Sequence, residues 1–248
     1  MAEPAMCFNI SVARGANQVQ LRFGAAFEDP NAFREIYHAA AYSDPTLPVI
    51  TGDRPDRISM LKWGLVPRWA KDEALADRLR VQTINARAET IMDKPSFKQS
   101  IVDRRCLVLA DGFYEWREVG GRKYPYYIKL KGHGLFAIAG IWDEWKNPKG
   151  GDKYDGFSVI TTKANPLLEM IHNTKKRMPV ILPRGEEKHW LESGLRKEEL
   201  MGLLAPYDDK LMEAHPVSKL IVSRDRDTNV PEAQEPFDYP ELGQRTLF

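Results

Sequence analysis

The stretch Cys106–Trp142, CLVLADGFYEWREVGGRKYPYYIKLKGHGLFAIAGIW, decides the fold. It divides into β-branched and aromatic runs at Cys106–Ala110, Phe113–Arg117, Tyr124–Leu130 and Leu135–Trp142, separated by short glycine-containing turns. Working outward, further strands are predicted at Val19–Phe23, Leu47–Ile50, Ile58–Trp63, Phe157–Thr162, Val180–Leu182 and Val217–Val222. Helical periodicity is predicted over Asp29–Ala39 with Pro30 near its first turn, and over Ser96–Arg105, Asn165–His172, Arg184–Ser193 and Lys197–Leu204. Runs of strands with helices at their edges, without regular βαβ alternation, predict an α+β domain built on an antiparallel or barrel-like sheet. The Asn147–Asp155 segment, NPKGGDKYD, reads as a hairpin loop rather than a domain boundary. One domain is therefore expected, with a Pro-rich tail after Val230 lying along the surface.

The 248 residues carry 36 Lys+Arg against 35 Asp+Glu, a formal charge of +1, so any affinity for nucleic acid must come from a local patch. The longest apolar stretch, Leu135–Trp142, is far short of the roughly 20 residues of a membrane helix. The opening residues, MAEPAMCFNISVARG, lack the cationic and apolar regions of a signal peptide. Two cysteines, Cys7 and Cys106, build neither a disulfide framework nor an all-cysteine metal site. A cytoplasmic monomer is expected. No H-E-x-x-H, C-x-x-C, Walker loop, G-x-G-x-x-G or G-x-S-x-G motif occurs, so no metal or nucleotide cofactor is indicated.

Four constellations could carry chemistry. An N-terminal cysteine presents an amine and a thiol on adjacent carbons. If Cys7 were terminal, its amine, with a reference pKa near 7.7–8.0, would add to an aldehyde as an imine and its thiol would close a thiazolidine. The same cysteine also reads as a small buried hydrophobe. In Asp111-Gly-Phe-Tyr-Glu115-Trp116 a carboxylate sits among aromatics at a strand end, where desolvation would raise its pKa toward that of a general acid. A solvent-facing Glu115 fits the pattern as well. Extended Thr83–Thr90 would align Asn85, Arg87 and Glu89 on one face, an amide beside a guanidinium suited to phosphate, or simply an exposed Arg–Glu edge. Finally, His172 precedes Lys175-Lys176-Arg177. This is a titratable base beside a phosphate-sized cationic patch or an ordinary solvated turn. His38, His133 and His189 have no chemical context.

In order along the chain, Met6-Cys7, LKWGLVPRWA, TINARAET, SFKQSIVDRRCLVLADGFYEW, IHNTKKRMPVIL and HPVS resemble the SRAP family (SOS response-associated peptidase), from Cys7 to about Pro231. The resemblance implies an abasic-site processing protein that binds single-stranded DNA, links covalently to the aldehyde of a lost base and functions in the DNA damage response. It also implies the family's α+β architecture around a barrel-like sheet. Carried over by residue, it makes Cys7 the nucleophile, Asn85 the group positioning its amine, Glu115 the general acid/base and His172 a proton-transfer residue for the Schiff base and β-elimination. Arg87 and Arg177 would grip phosphates, and Trp63, Trp69 and Trp116 would stack or wall the DNA groove where they do not pack the core. The domain would span residues 7–231, with residues 1–6 a leader and 232–248 a surface tail.

The chain departs from the family pattern in several places. Cys7-Phe8-Asn9 stands where Cys-Gly-Arg is usual, and Ala39–Pro45 replaces Asn-x-Ala-Pro. Two extra residues separate His172 from Met178. While Met1–Ala5 and Met6 remain attached, the Cys7 nitrogen is an amide that cannot form an imine. Met6 as initiator, an extraneous remnant and self-removal of the leader all stay open as explanations. Two other functions also stay open: a thiol peptidase in which His172 activates Cys7 and Asn85 supplies an oxyanion donor, and a non-catalytic single-strand binder.

Overall fold

The computed structural model describes residues 8–132, 134–151 and 153–243; Cys7, His133 and the residues expected above to form a leader lie outside them. From the N-terminus the chain runs β1 (Asn9–Val12), α1 (Ala16–Phe23), β2 (Ala26–Phe27), β3 (Ile36–Ala40), β4 (Thr46–Thr51) and β5 (Arg54–Trp63). It continues through α2 (Glu73–Gln82), β6 (Asn85–Arg87), α3 (Ser100–Asp103), β7 (Arg105–Ala110), β8 (Gly112–Val119), β9 (Arg122–Leu130) and β10 (Phe136–Lys146). The last part holds β11 (Lys153–Lys163), α4 (Pro166–Ile171), β12 (Arg177–Pro179), α5 (Glu187–Leu191), α6 (Lys197–Leu203) and β13 (Met212–Pro216).

The strands form a five-stranded sheet in the order β13-β9-β8-β1-β3 and an eight-stranded sheet in the order β12-β11-β10-β7-β4-β5-β2, with β6 added beside β11. An additional parallel pairing joins β11 to β5, so β11, β10, β7, β4 and β5 close into a mixed barrel. The fold is α+β, with short helices at the periphery. β7 shows why the barrel forms: all six of its residues are buried, and an apolar run covered on both faces belongs between two neighbours, here β10 and β4. Its one charge, Arg105, is buried with its Nε and Nη1 donating to the carbonyls of Trp190 (2.7 Å), Ile101 (2.7 Å) and Val102 (2.6 Å), and its Nη2 to Glu192 O. The guanidinium thus satisfies orphan carbonyls at the ends of α3 and α5.

The closing seam depends on two glycines. Gly64, at φ +136°, follows β5 and donates its N–H to Phe157 O at 2.9 Å, while the Tyr154 hydroxyl donates to Gly64 O at 2.9 Å. A Cβ on Gly156 would collide with that same Gly64 carbonyl, so glycine lets the two strand backbones approach.

Four predicted elements differ. The strand expected at Val180–Leu182 lies earlier, at Arg177–Pro179, where it pairs with β11, and only Ile181 of the predicted stretch bridges, to Ile138. Val19–Phe23 is helical, part of α1, because Gly15 and Gly24 bracket one helical segment and Gly24 at φ 65° donates its N–H back to Gln20 O. Its solvent side carries Leu21, 87% exposed, whereas Arg22 turns in to pair with the buried Glu187 and Gln20 accepts from Phe27 N at 3.0 Å. Asp29–Ala39 is not one helix. Asp29 caps a single 3-10 turn at Pro30–Ala32, and Ile36–Ala40 is drawn into β3 by pairing with β1. In Val217–Val222, Val217 forms a bridge to Pro236. Ser218 then accepts from Leu220 N and starts a 3-10 turn at Lys219–Val222, while the strand β13 lies just upstream and pairs with β9. The sequence does not announce α2, although Asp72 caps it through Leu75 N at 2.8 Å, because only Ala76 on it is buried and its apolar periodicity is faint. The hairpin loop between β10 and β11 falls where Asn147–Asp155 predicts it.

After β13 the chain runs back over the small sheet. Phe237 N donates to Pro216 O at 2.8 Å, the Tyr239 hydroxyl donates to Val217 O at 2.8 Å, and the Tyr239 ring meets that of Tyr124 edge-on at 4.9 Å.

Candidate functional site

β8 carries Glu115 at its centre. Side chains alternate along a strand, so Phe113 and Glu115 face the main core, while Tyr114 and Trp116 face a smaller cluster with Tyr127, Val217, Ile221 and Ala233. Glu115 is 3% exposed and His172 7% exposed, and Glu115 Oε2 lies 3.5 Å from His172 Nδ1. The carboxylate therefore faces inward, not toward solvent.

His172 sits just past α4, a helix that Asn165 starts by accepting from Leu168 N at 2.9 Å with Pro166 in its first turn. His172 Nδ1 lies 3.1 Å from Arg177 O. A carbonyl only accepts, so Nδ1 carries the proton and the basic lone pair is on Nε2. Burial pushes the His172 pKa down, and the nearby charges of Lys175, Lys123 and Arg177 add to this against the raising effect of the Arg177 carbonyl. Burial thus favours the neutral ring, whose Nδ1 lies beside the Glu115 carboxylate. The loop bearing it is clamped to β8: Asn173 accepts from Glu118 N at 3.0 Å and donates to Glu118 O at 2.8 Å. Nothing in the sequence marks Asn173 beyond its place next to His172, since the clamp exists only once α4 packs on β8.

Arg177 opens β12. Its guanidinium donates to both Glu89 oxygens, one at 2.9 Å, and to Thr161 O at 2.7 Å and Thr161 Oγ1 at 3.2 Å. Burial acts to raise the Glu89 pKa, but the hydrogen bond from Arg177 and the charges of Arg177 and Arg87 outweigh it and hold the group below the usual carboxylate range. For Arg177 to meet a phosphate, it must exchange Glu89 for it.

Asn85 and Arg87 lie on β6, which extends for three residues before the 3-10 turn at Ala88–Thr90. Parallel pairing sets Asn85 beside Val159 and Arg87 beside Thr161, whose other neighbour is Pro179 on β12. Asn85 is half-buried, Arg87 is exposed and the intervening Ala86 is buried, so the alternation predicted for this segment holds over β6 itself. The structure thus brings Glu115 to His172 and His172 to the backbone carbonyl of Arg177, while the Arg177 guanidinium turns to Glu89 and to Thr161, the register neighbour of Arg87.

The tryptophans separate. Trp63 is 2% exposed, its ring stacked near Phe157 and its N–H donating to Ile84 O at 3.0 Å; it packs the core and offers no face for stacking. Trp116 turns to the face of β8 opposite Glu115. Trp69 is 49% exposed, donates to Pro95 O at 3.3 Å and lines a groove of about 560 Å³ with Arg68, Lys98 and Gln99. Among the described residues no group of three or more His, Cys, Asp or Glu side chains could hold a metal ion, and no helix is long and apolar enough to cross a membrane.

His38, which the sequence left without context, is a buried tie. Its Nε2 lies 2.8 Å from Asn9 Oδ1 and its Nδ1 2.9 Å from Thr228 Oγ1, while Asn229 Oδ1 accepts from the backbone N–H groups of Tyr37 (2.7 Å) and His38 (3.2 Å). It fastens β1, β3 and the 227–229 segment together. β1 pairs Asn9 with Tyr114, so the end of β1 nearest the N-terminus points along β8 toward Glu115.

The family model for SOS response associated peptidase (SRAP) matches residues 6–224. The chain belongs to the SRAP family. It is 44% identical over 192 residues to "Abasic site processing protein YoqW" of Bacillus subtilis (strain 168), covering 75% of this chain and 82% of that protein. It is 35% identical over 208 residues to "Abasic site processing protein HMCES" of Gallus gallus, covering 75% of this chain and 60% of that protein. A crystal structure of a protein from Bacteroides thetaiotaomicron superposes with a TM-score of 0.88 at 37% identity, covering 93% of this chain and 100% of that one. The SRAP motifs TINARAET, DGFYEW and IHNTKKRMP are the segments that supply β6, β8 and the α4–β12 loop.

Proposed function

We propose that this SRAP chain processes abasic sites in single-stranded DNA by forming a covalent thiazolidine through Cys7 as its N-terminal residue. The observation that carries the reading is the buried Glu115–His172 couple on β8, on the side toward which the N-terminal end of β1 points. The names of the relatives supply the substrate class.

In the proposed reaction Glu115 passes a proton to the ring oxygen of the deoxyribose as the C1′–O4′ bond breaks, and the C1′ hydroxyl gives up its proton in return, leaving the C1′ aldehyde and restoring the acid. The neutral Cys7 amine adds to C1′ and the carbinolamine loses one water to give the imine. The Cys7 thiolate adds to the same carbon while the nitrogen takes up a proton, which closes the ring. Asn85 orients the amine, and Arg87, with Arg177 once released from Glu89, holds the flanking phosphates. His172 Nε2, neutral and basic, is the base that can take the C2′ proton when the imine instead undergoes β-elimination. Removal of residues 1–6 is required before the first step, since an amide nitrogen forms no imine.

The test compares protein starting at Cys7, the same protein with its N-terminus acetylated, and Cys7→Ser, each incubated with an oligonucleotide carrying one abasic site. Only the first should give an adduct that survives denaturation. Cleavage of separate peptides that persists after acetylation would instead identify a thiol peptidase. Salt-sensitive binding without any adduct would identify a plain single-strand binder.

A further inference from the structure

Two departures from the SRAP pattern, Phe8 after the cysteine and Tyr42 in the Ala39–Pro45 segment, meet in space. The Ala41 N–H donates to Phe8 O at 2.8 Å, and the rings of Phe8 and Tyr42 lie with centroids 4.8 Å apart at an interplanar angle of 36°. Phe8 is half-buried and rests on the main core, whereas Tyr42 is 62% exposed. The β1–β8 pairing ends at Asn9–Tyr114, so Phe8 leaves β1 at the end of the pair that borders Glu115. An open aromatic surface therefore flanks the carboxylate of the candidate site, while the next side chain, Asn9, is turned inward to His38.

We propose that Phe8 and Tyr42 form a stacking platform for the nucleobase adjoining the abasic site. The lesion has no base of its own, so the neighbouring base is the nearest π surface that a single strand can bring to this face. Every base has such a surface, so the platform holds any sequence. The proposal rests on the abasic-site reading and assigns a base-binding subsite to it.

The experiment uses single-stranded oligonucleotides carrying a tetrahydrofuran abasic analogue, which has no aldehyde to expose and so reports binding alone. 2-Aminopurine is placed on its 5′ side in one oligonucleotide and its 3′ side in another. The expected result is quenching of 2-aminopurine by the wild-type protein on one side, retained in Tyr42→Phe and lost in Tyr42→Ala. Replacing that neighbouring base by a second tetrahydrofuran should weaken wild-type binding about five-fold or more and leave Tyr42→Ala binding unchanged, as expected for losing one stacked base. Phe8→Leu, which keeps apolar volume without a π face, provides a second variant should Tyr42→Ala fail to fold. No quenching on either side, or wild-type behaviour in both Tyr42→Ala and Phe8→Leu, would overturn the platform, including the case in which the patch covers a protein partner instead. Crosslinking of wild-type protein to a true abasic oligonucleotide, run alongside, separates the two claims. Its failure removes the abasic-site reading, whereas crosslinking without quenching removes only the platform.

Discussion

At the residue scale, Glu115 and His172 divide the proton work by position. Nδ1 of His172 is committed to the Arg177 carbonyl at 3.1 Å, leaving Nε2 as base, while Glu115 is the buried carboxylate beside it. Glu115→Gln should slow both formation and reversal of the adduct by about 10²–10⁴-fold, the usual contribution of a positioned general acid/base, as followed by the yield on denaturing gels with time. Release of the adduct by Glu115→Gln as fast as by wild type would contradict the assignment. Crosslinking should also rise with pH between about 6 and 9 and then level, because the Cys7 amine, with a reference pKa near 7.7–8.0, must be neutral to attack. Of these residues, the sequence shows the types and the motifs. It does not show that Arg177 spends its charge on Glu89 or that Trp63 is core, since both follow from strand neighbours far apart in the chain.

At the scale of elements, two ties hold the candidate site. The first is the Asn173 clamp between the α4–β12 loop and β8. Asn173→Ala removes two hydrogen bonds, so it should cost about 1–2 kcal/mol and lower the crosslinking rate while leaving Glu115 in place; chemical denaturation and a rate measurement on the same protein check both. The second is His38, whose pKa burial pushes down to about 4. Its folded value lies below the unfolded value of about 6.5, so the unfolded chain binds the proton first as pH falls. Stability is unaffected by this group above about pH 6.5 and declines as pH drops toward about 4, by at most about 3 kcal/mol. His38→Gln should be less stable at pH 7 and show a shallower loss in that window, measured as urea midpoints across pH. The elements most legible in the sequence were those with a strong local signal, such as the apolar run of β7 and the Asn165-Pro166 start of α4. Of those that differed, α1, β3 and the Lys219–Val222 turn were set by glycine brackets, by pairing with β1 and by a serine cap.

For the whole molecule, the barrel closes where β11 meets β5 in parallel, and no periodicity in the sequence announces that pairing. The α+β class was legible because strands crowd the middle of the chain, but closure depends on Gly64 and Gly156 allowing a backbone contact. Gly156→Ala should strain that seam and cost about 3 kcal/mol or more, lowering the melting temperature by about 6–12 °C in a domain of this size. A melting temperature within 2 °C of wild type, on the order of the error expected from a neutral change, would show that the seam relaxes around a methyl group. The fold thus gathers β6, β8 and the α4–β12 loop from three distant motifs, with β1 leading in from Cys7.

The most direct measurement is the intact mass of protein beginning at Cys7, before and after incubation with a single-stranded oligonucleotide carrying one abasic site. Thiazolidine formation predicts one new species equal to protein plus oligonucleotide minus one water, absent from Cys7→Ser and from N-terminally acetylated protein. An unchanged mass with Cys7 exposed, or the same adduct on the acetylated protein, would contradict the aminothiol mechanism.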